Sequence, residues 1–115
     1  MRVGFIGAGI MGKTMGLLLG RCGYEIVGYF SRSETTAYRV AKEVGGKFFS
    51  DVGKLAVNCD ILFVTTPDDA IPQIAVTLGN LECLRPGQFL VHMSGLHTSG
   101  ILEPALSEGI YGLSM

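Results

Sequence analysis

Charge is scarce in this sequence. Asp, Glu, Lys and Arg make up 17% of the residues, against roughly 25% in an average soluble domain. Neither sign dominates, since 9 basic and 10 acidic residues leave a net charge of −1. The absence of a basic excess argues against bulk nucleic-acid binding, which needs a basic face to neutralise phosphates. It also carries no polybasic patch for a membrane surface. Cysteine is scarce too: Cys22, Cys59 and Cys83 are far apart, odd in number and form no CxxC pair. They read as free thiols of a protein in the reducing cytoplasm rather than as a disulfide frame. There is no linker, internal repeat or low-complexity run. A chain of 115 residues has length for one core and no more, so one domain is expected.

Glycine and apolar residues are abundant. The 17 glycines are about twice the usual share of roughly 7%. A hydrophobic fraction of 48% and a mean hydropathy of +0.41 exclude a disordered chain, because there is ample apolar surface to bury. The stretch 3–20 is nearly all apolar and follows Arg2, as a signal peptide or membrane span would. Lys13 interrupts it, six glycines lie within it and no A-x-A site follows; these features argue against the membrane reading.

Strand-like and helix-like segments alternate. Short apolar runs at 2–6, 25–30, 47–49, 61–65, 88–92 and 110–113 read as strands. Helices are expected over 10–22, 35–44, 51–57, from Asp68 or Asp69 to about residue 81, and over 99–107 despite Pro104. Caps and stops support several boundaries. Ser33 or Glu34 stands near the start of the second helix, Ser50 or Asp51 before the third, and glycines at 23 and 45–46 after the first and second. Ile71, Ile74, Ala75 and Leu78 form one apolar stripe, and Pro72 is tolerable in a first turn. This alternation predicts an α/β fold, a Rossmann-type parallel sheet with helices on both faces, with right-handed crossovers. The chain stops at Met115, straight after an apolar strand-like run. That ending suggests a fragment of a longer protein, because a last strand is rarely left uncovered in a doubly covered sheet.

Gly7-Ala8-Gly9-Ile10-Met11-Gly12 is a G-x-G-x-x-G that leaves a predicted strand and opens a predicted helix, the context that gives the pattern meaning. Gly7 permits the tight turn, Gly9 lets a pyrophosphate approach the backbone and Gly12 lets helix and strand pack closely. The free N–H groups and dipole of the helix N-terminus favour the phosphates. Gly16 and Gly20 continue the four-residue spacing and are expected to bring the helix close to the sheet. NAD and FAD sites usually place a carboxylate at the end of the second strand, about 20 residues on. Here Ser31 stands 19 residues after Gly12, followed by Arg32 and Ser33, and Glu34 comes too late. Arg32 offers a fork for a 2′-phosphate and a plane to stack on adenine, and Ser31 and Ser33 add hydroxyls. NADP (NADPH) is the expected cofactor. The missing acid counts against FAD and S-adenosylmethionine.

Ligands of open α/β sheets lie beyond the carboxyl ends of strands. Thr65, Thr66 and Pro67 end the fourth strand and are expected to border the second ribose and the nicotinamide, while Asp68 or Asp69 caps the next helix. His92, Ser94 and His97 follow the fifth strand. A histidine there is suited to give a proton to a carbonyl or imine as hydride arrives; the alternative is a polar loop with satisfied histidines. His92 and His97 lack further ligands at metal spacing, so no metal is expected.

With these motifs, and with His92-Met93-Ser94-Gly95 after the fifth strand, the chain resembles the N-terminal NADP-binding domain of the Rossmann-like oxidoreductases allied to pyrroline-5-carboxylate reductase and 6-phosphogluconate dehydrogenase. The likeness is greatest to members that join this domain to a C-terminal helical domain of unknown function. It covers nearly the whole chain. It implies an oxidoreductase transferring hydride to or from a small C=O or C=N substrate. Residues 7–12 would hold the pyrophosphate and Ser31, Arg32 and Ser33 the 2′-phosphate. Thr66, Pro67, His92 and Ser94 would lie near the nicotinamide, with His92 and Ser94 as catalytic candidates. It further implies that residues 1–115 are a dinucleotide-binding domain cut off before a helical substrate and dimerisation domain, so that a homodimer would form mainly through that missing part. The rival expectation is a non-catalytic NADP(H) sensor or scaffold.

Overall fold

The computed structural model describes residues 1–94 and 99–115. Strands β1 (Arg2–Ile6), β2 (Glu25–Phe30), β3 (Lys47–Phe48), β4 (Ile61–Val64), β5 (Phe89–His92) and β6 (Tyr111–Ser114) form one sheet in the order β3-β2-β1-β4-β5-β6, with every pair parallel. Helices α1 (Ile10–Arg21), α2 (Glu34–Val44), α3 (Val52–Val57) and α4 (Ile71–Leu81) connect them. The order reverses between β1 and β4, the switch point at which doubly wound sheets open a crevice. No helix among the described residues is long and apolar enough to cross a membrane.

Local chemistry explains most boundaries. Ser33 caps α2, its Oγ accepting the Thr36 N–H at 3.3 Å, and Gly45 ends that helix in the left-handed region at φ 100°. Asp51 caps α3 through the N–H groups of Gly53 (2.9 Å) and Lys54 (3.4 Å). Two expectations need correction. Asp68 and Asp69 do not cap α4. They lie in a 3₁₀ turn, Asp68–Ala70, and α4 starts at Ile71 without a side-chain cap; Pro72, which has no N–H to donate, sits at its entry. The segment expected as a helix over 99–107 is helical over Ser99–Ala105 only, and as a 3₁₀ helix that contains Pro104.

The sheet separates two apolar layers. On one face Ile6, Leu62, Val64 and Leu90 pack with residues of α3, α4 and the 3₁₀ helix, such as Leu55, Leu78 and Leu102. On the other, Val3, Phe5, Tyr29, Phe63 and Val91 pack with Ala37, Val40 and Ala41 of α2 and Met15 and Leu19 of α1. Phe5 stacks between Tyr29 and Phe63, with centroids 4.9 and 5.5 Å apart. The β1–β2 register slips between Val3 and Gly4, so that Val3 faces Ile26 but Gly4 faces Gly28. This bulge inverts the alternation of β2, and Ile26 and Tyr29, three residues apart, therefore share a face. Tyr29 is thereby aimed at α1, where its hydroxyl donates to the Gly12 carbonyl at 2.7 Å.

Burial pushes the Cys59 thiol up to about 12 and raises the Tyr29 phenol above its ordinary value. Both hold their protons in the folded chain at pH values where the unfolded chain releases them. Above pH ~9 the unfolded state thus binds fewer protons, and stability falls as pH rises. The urea midpoint is expected to decline from pH 9 to 11, and less steeply in Cys59→Ala. Equal slopes for the two proteins would remove Cys59 from this account.

Candidate functional site

Three strand ends meet at the switch point. The Gly7 N–H donates to Phe30 O at 2.7 Å and the Thr65 N–H to Ile6 O at 2.8 Å, which draws the ends of β2 and β4 to the end of β1. Above them opens a cleft of about 950 Å³, at the upper end of the ~300–1,000 Å³ usual for small-molecule sites. Gly7, Ala8, Gly9, Ile10, Met11, Ser31, Arg32, Ser33, Thr65, Thr66 and Pro67 all line it. Gly12, the other expected cofactor residue, is buried beneath the loop. Three segments far apart in the chain are thus brought to one surface.

The glycines divide the work much as their spacing predicts. Gly7 has φ +113°, a backbone conformation that side chains resist. A Cβ on Gly12 would run into the Gly7 carbonyl oxygen and come within 2.8 Å of Thr65 Oγ1. Gly9 is the opposite case, with no atom of the described residues within 4 Å of its missing Cβ. The loop is closed underneath and open above. Gly16 does bring α1 to the sheet, since Tyr29 Oη fills the place of its Cβ; Gly20 does not, its nearest neighbour being Ile26 at an ordinary 3.7 Å.

Arg32 is exposed at the end of β2 and is the only cationic side chain lining the cleft among the described residues. Lys13, on α1, is paired instead with Glu43, whose carboxyl that hydrogen bond holds below its ordinary range. Ser31 Oγ accepts the Ser33 N–H at 3.3 Å, and the Ser33 hydroxyl pairs with that of Thr36 at 2.9 Å. Each serine oxygen is held in place by this turn. At the β4 end, Thr65 Oγ1 donates to Gly7 O (2.9 Å), with Ile6 O at 3.3 Å. Thr66 Oγ1 is buried with no hydrogen-bond partner among the described residues, an uncommon state for a buried hydroxyl.

His92 is paired in register with Val64, the residue before Thr65. His92 is wholly buried, Ser94 nearly so, and neither lines the cleft. The Ser94 N–H donates to His92 Nδ1 at 3.1 Å. Gly95 and His97 lie outside the described residues. No group of His, Cys, Asp or Glu suited to a metal ion occurs among the described residues.

Several lining residues have no site role in the sequence reading: Val52 from α3, Asp69 before α4, and Gln73, Ile74 and Thr77 from α4. Gln73 and Thr77 are one turn apart, beside the buried stripe of Ile71, Ala75 and Leu78. That spacing was the available signal, but only the sheet order shows that this flank of α4 faces the glycine loop.

A glycine loop without a Cβ where a phosphate would approach, an α-helix opening from it and a cation at the end of β2 all fit a dinucleotide. Comparison with known proteins agrees at the level of fold and class. Over 114 residues the chain is 25% identical to an uncharacterized oxidoreductase of Synechocystis, covering 97% of this chain and 39% of that protein. It is 29% identical over 107 residues to 2-(hydroxymethyl)glutarate dehydrogenase of Eubacterium barkeri, covering 91% and 35%. The structure of Psf3 in complex with NADP+ and 2-OPP superposes with a TM-score of 0.70 at 26% identity, covering 88% and 36%. The chain therefore spans less than two-fifths of the length of the curated relatives it matches. The family model of the Rossmann-like domain matches residues 1–115, and the chain belongs to that family.

Proposed function

We propose that the chain is the NADP(H)-binding domain of an oxidoreductase that moves hydride to or from a small C=O or C=N substrate. The observation that carries the choice of NADP is Arg32, exposed on the cleft at the end of β2 with no carboxylate beside it in the turn. The relatives support the reaction class: two are an oxidoreductase and a dehydrogenase, and Psf3 is seen with NADP+.

In this reading the loop 7–12 and the first turn of α1 hold the diphosphate with backbone N–H groups. Arg32 pairs with the 2′-phosphate through charge-assisted bonds, and Ser31 and Ser33 add hydroxyl contacts. Thr66 and Pro67 close the cleft at the β4 end, beside the nicotinamide. When bound, the nicotinamide supplies or accepts the hydride. Substrate contacts and subunit assembly belong to the protein of which this domain is a part, as the short coverage of its relatives suggests.

Titration of the chain with NADPH and with NADH, followed by nicotinamide fluorescence, tests the reading. Tighter binding of NADPH is expected. Arg32→Ala should weaken NADPH about tenfold to a hundredfold, the equivalent of ~1.5–3 kcal/mol for a hydrogen bond to a charged group, and leave NADH nearly unchanged. Equal losses for both nucleotides would refute the role of Arg32. One observation favours a second reading for this chain alone: Arg32 and Asp69 are the only titratable side chains lining the cleft among the described residues. A module that binds NADP(H) without turnover would look like this. Turnover by the purified chain would exclude that reading.

A further inference from the structure

The peptide groups of the glycine loop are held from below by two hydroxyls, one on β2 and one on the residue that follows β4. Thr65 borders the cleft, yet its hydroxyl donates to Gly7 O at 2.9 Å, with Ile6 O at 3.3 Å. Tyr29 is wholly buried and donates to Gly12 O at 2.7 Å. The second contact depends on two features described above. The β2 bulge places Tyr29 on the α1 side, and Gly16 leaves its Cβ position to the phenol oxygen. From the sequence Thr65 is expected as a cofactor contact, and Tyr29 carries no expected role.

A trans peptide is planar, so its C=O and the next residue's N–H point in opposite directions. Fixing Gly7 O against Thr65 therefore turns the Ala8 N–H away from the end of β4. Holding Gly12 O fixes the first turn of α1, which carries the free N–H groups of the helix end. The two hydroxyls are bonded to carbonyls at either end of the G-x-G-x-x-G, and the residues between them line the cleft.

We propose that Thr65 and Tyr29 are positioning residues for diphosphate binding, a brace that aims the N–H groups of the glycine loop without touching the nucleotide. This rests on the reading of the cleft as a dinucleotide site. The brace predicts which part of the nucleotide feels its loss. Thr65→Val and Tyr29→Phe keep size and shape but remove one hydrogen bond each. Both should weaken NADPH about tenfold, the equivalent of ~1.4 kcal/mol. Binding of adenosine 2′-phosphate, which has no diphosphate and engages the Arg32 end, should stay within about twofold of wild type, or ~0.4 kcal/mol. Thr65→Ser should restore NADPH affinity.

The experiment is calorimetric titration of the purified wild-type chain and the three variants with NADPH and with adenosine 2′-phosphate, alongside their melting temperatures. A loss confined to NADPH and rescued by serine supports the brace. Wild-type NADPH affinity in both Thr65→Val and Tyr29→Phe overturns it. So does an equal loss for both probes, which marks a general loosening of the fold. If either variant is unfolded by its melting curve, the other decides. Failure of the wild-type chain to bind NADPH overturns the cofactor reading and the brace with it, and is distinguished by being seen before any variant is made.

Discussion

Gly12→Val is expected to abolish measurable NADPH binding and to lower the melting temperature by roughly 5–10 °C. The cause is local. The first added carbon would run into the carbonyl oxygen of Gly7 and stand 2.8 Å from Thr65 Oγ1. Neither neighbour is free to yield. Gly7 is held at φ +113° and its carbonyl is bonded to the Thr65 hydroxyl. Overpacking of this kind costs about 1–3 kcal/mol, and relief comes from moving α1 away from β1, which also spoils the loop. Gly9→Ala is the matched control. Its Cβ would meet nothing within 4 Å among the described residues, so the melting temperature should hold. NADPH binding should still weaken, because the methyl group occupies the space a phosphate would enter. Scanning calorimetry and fluorescence titration on both variants check the pair. Wild-type affinity in Gly12→Val would refute the loop's role, and a large loss of stability in Gly9→Ala would refute its open geometry.

The largest effect on stability is expected from Phe5→Ala, at about 3–5 kcal/mol. A domain of this size has only about 5–15 kcal/mol in total, so the variant should unfold at a far lower urea concentration or be partly unfolded at 37 °C. Phe5 has no exposed surface and stacks on Tyr29 to one side and Phe63 to the other. The row of rings crosses β2, β1 and β4. Its two ring partners are anchored on strands of the same sheet and cannot move in to fill the space. Urea unfolding followed by circular dichroism gives the value. A loss below ~1 kcal/mol, the size of a single buried methylene, would mean that the ring row contributes little.

These effects divide along the same line as the legibility of the chain. Structure encoded by neighbours in sequence was readable. Ser33 and Asp51 announce their helices because a side-chain oxygen three or fewer residues away accepts the free N–H groups. The glycine loop and the turn 31–33 are likewise contiguous, and each stands in the cleft. What depended on tertiary context was not readable. The β2 bulge follows from pairing with β1 and leaves no local mark, so the inward turn of Tyr29 was invisible. The Gln73 and Thr77 flank of α4 joins the cleft only because the sheet order brings α4 beside the loop. His92 shows the limit from the other side. A polar residue at a strand end invites a functional reading; His92 continues the alternation of Leu90 and is wholly buried, so it is not among the described residues that line the cleft.

The central place of β1 has a consequence for how the molecule forms. Val3 pairs with Ile26 on one side and with Ile61 on the other, so the strand at the heart of the cleft closes a short chain loop and a long one. Long closures are slow because chain entropy is lost before the contact is made. The half of the cleft built from β1 and β2 can assemble early, whereas the β4 half waits for the second closure. On loop length alone the complete cleft is expected to form after its β1–β2 half. Nucleotide that recognises only the complete cleft would act chiefly by slowing unfolding, leaving the rate of collapse nearly untouched.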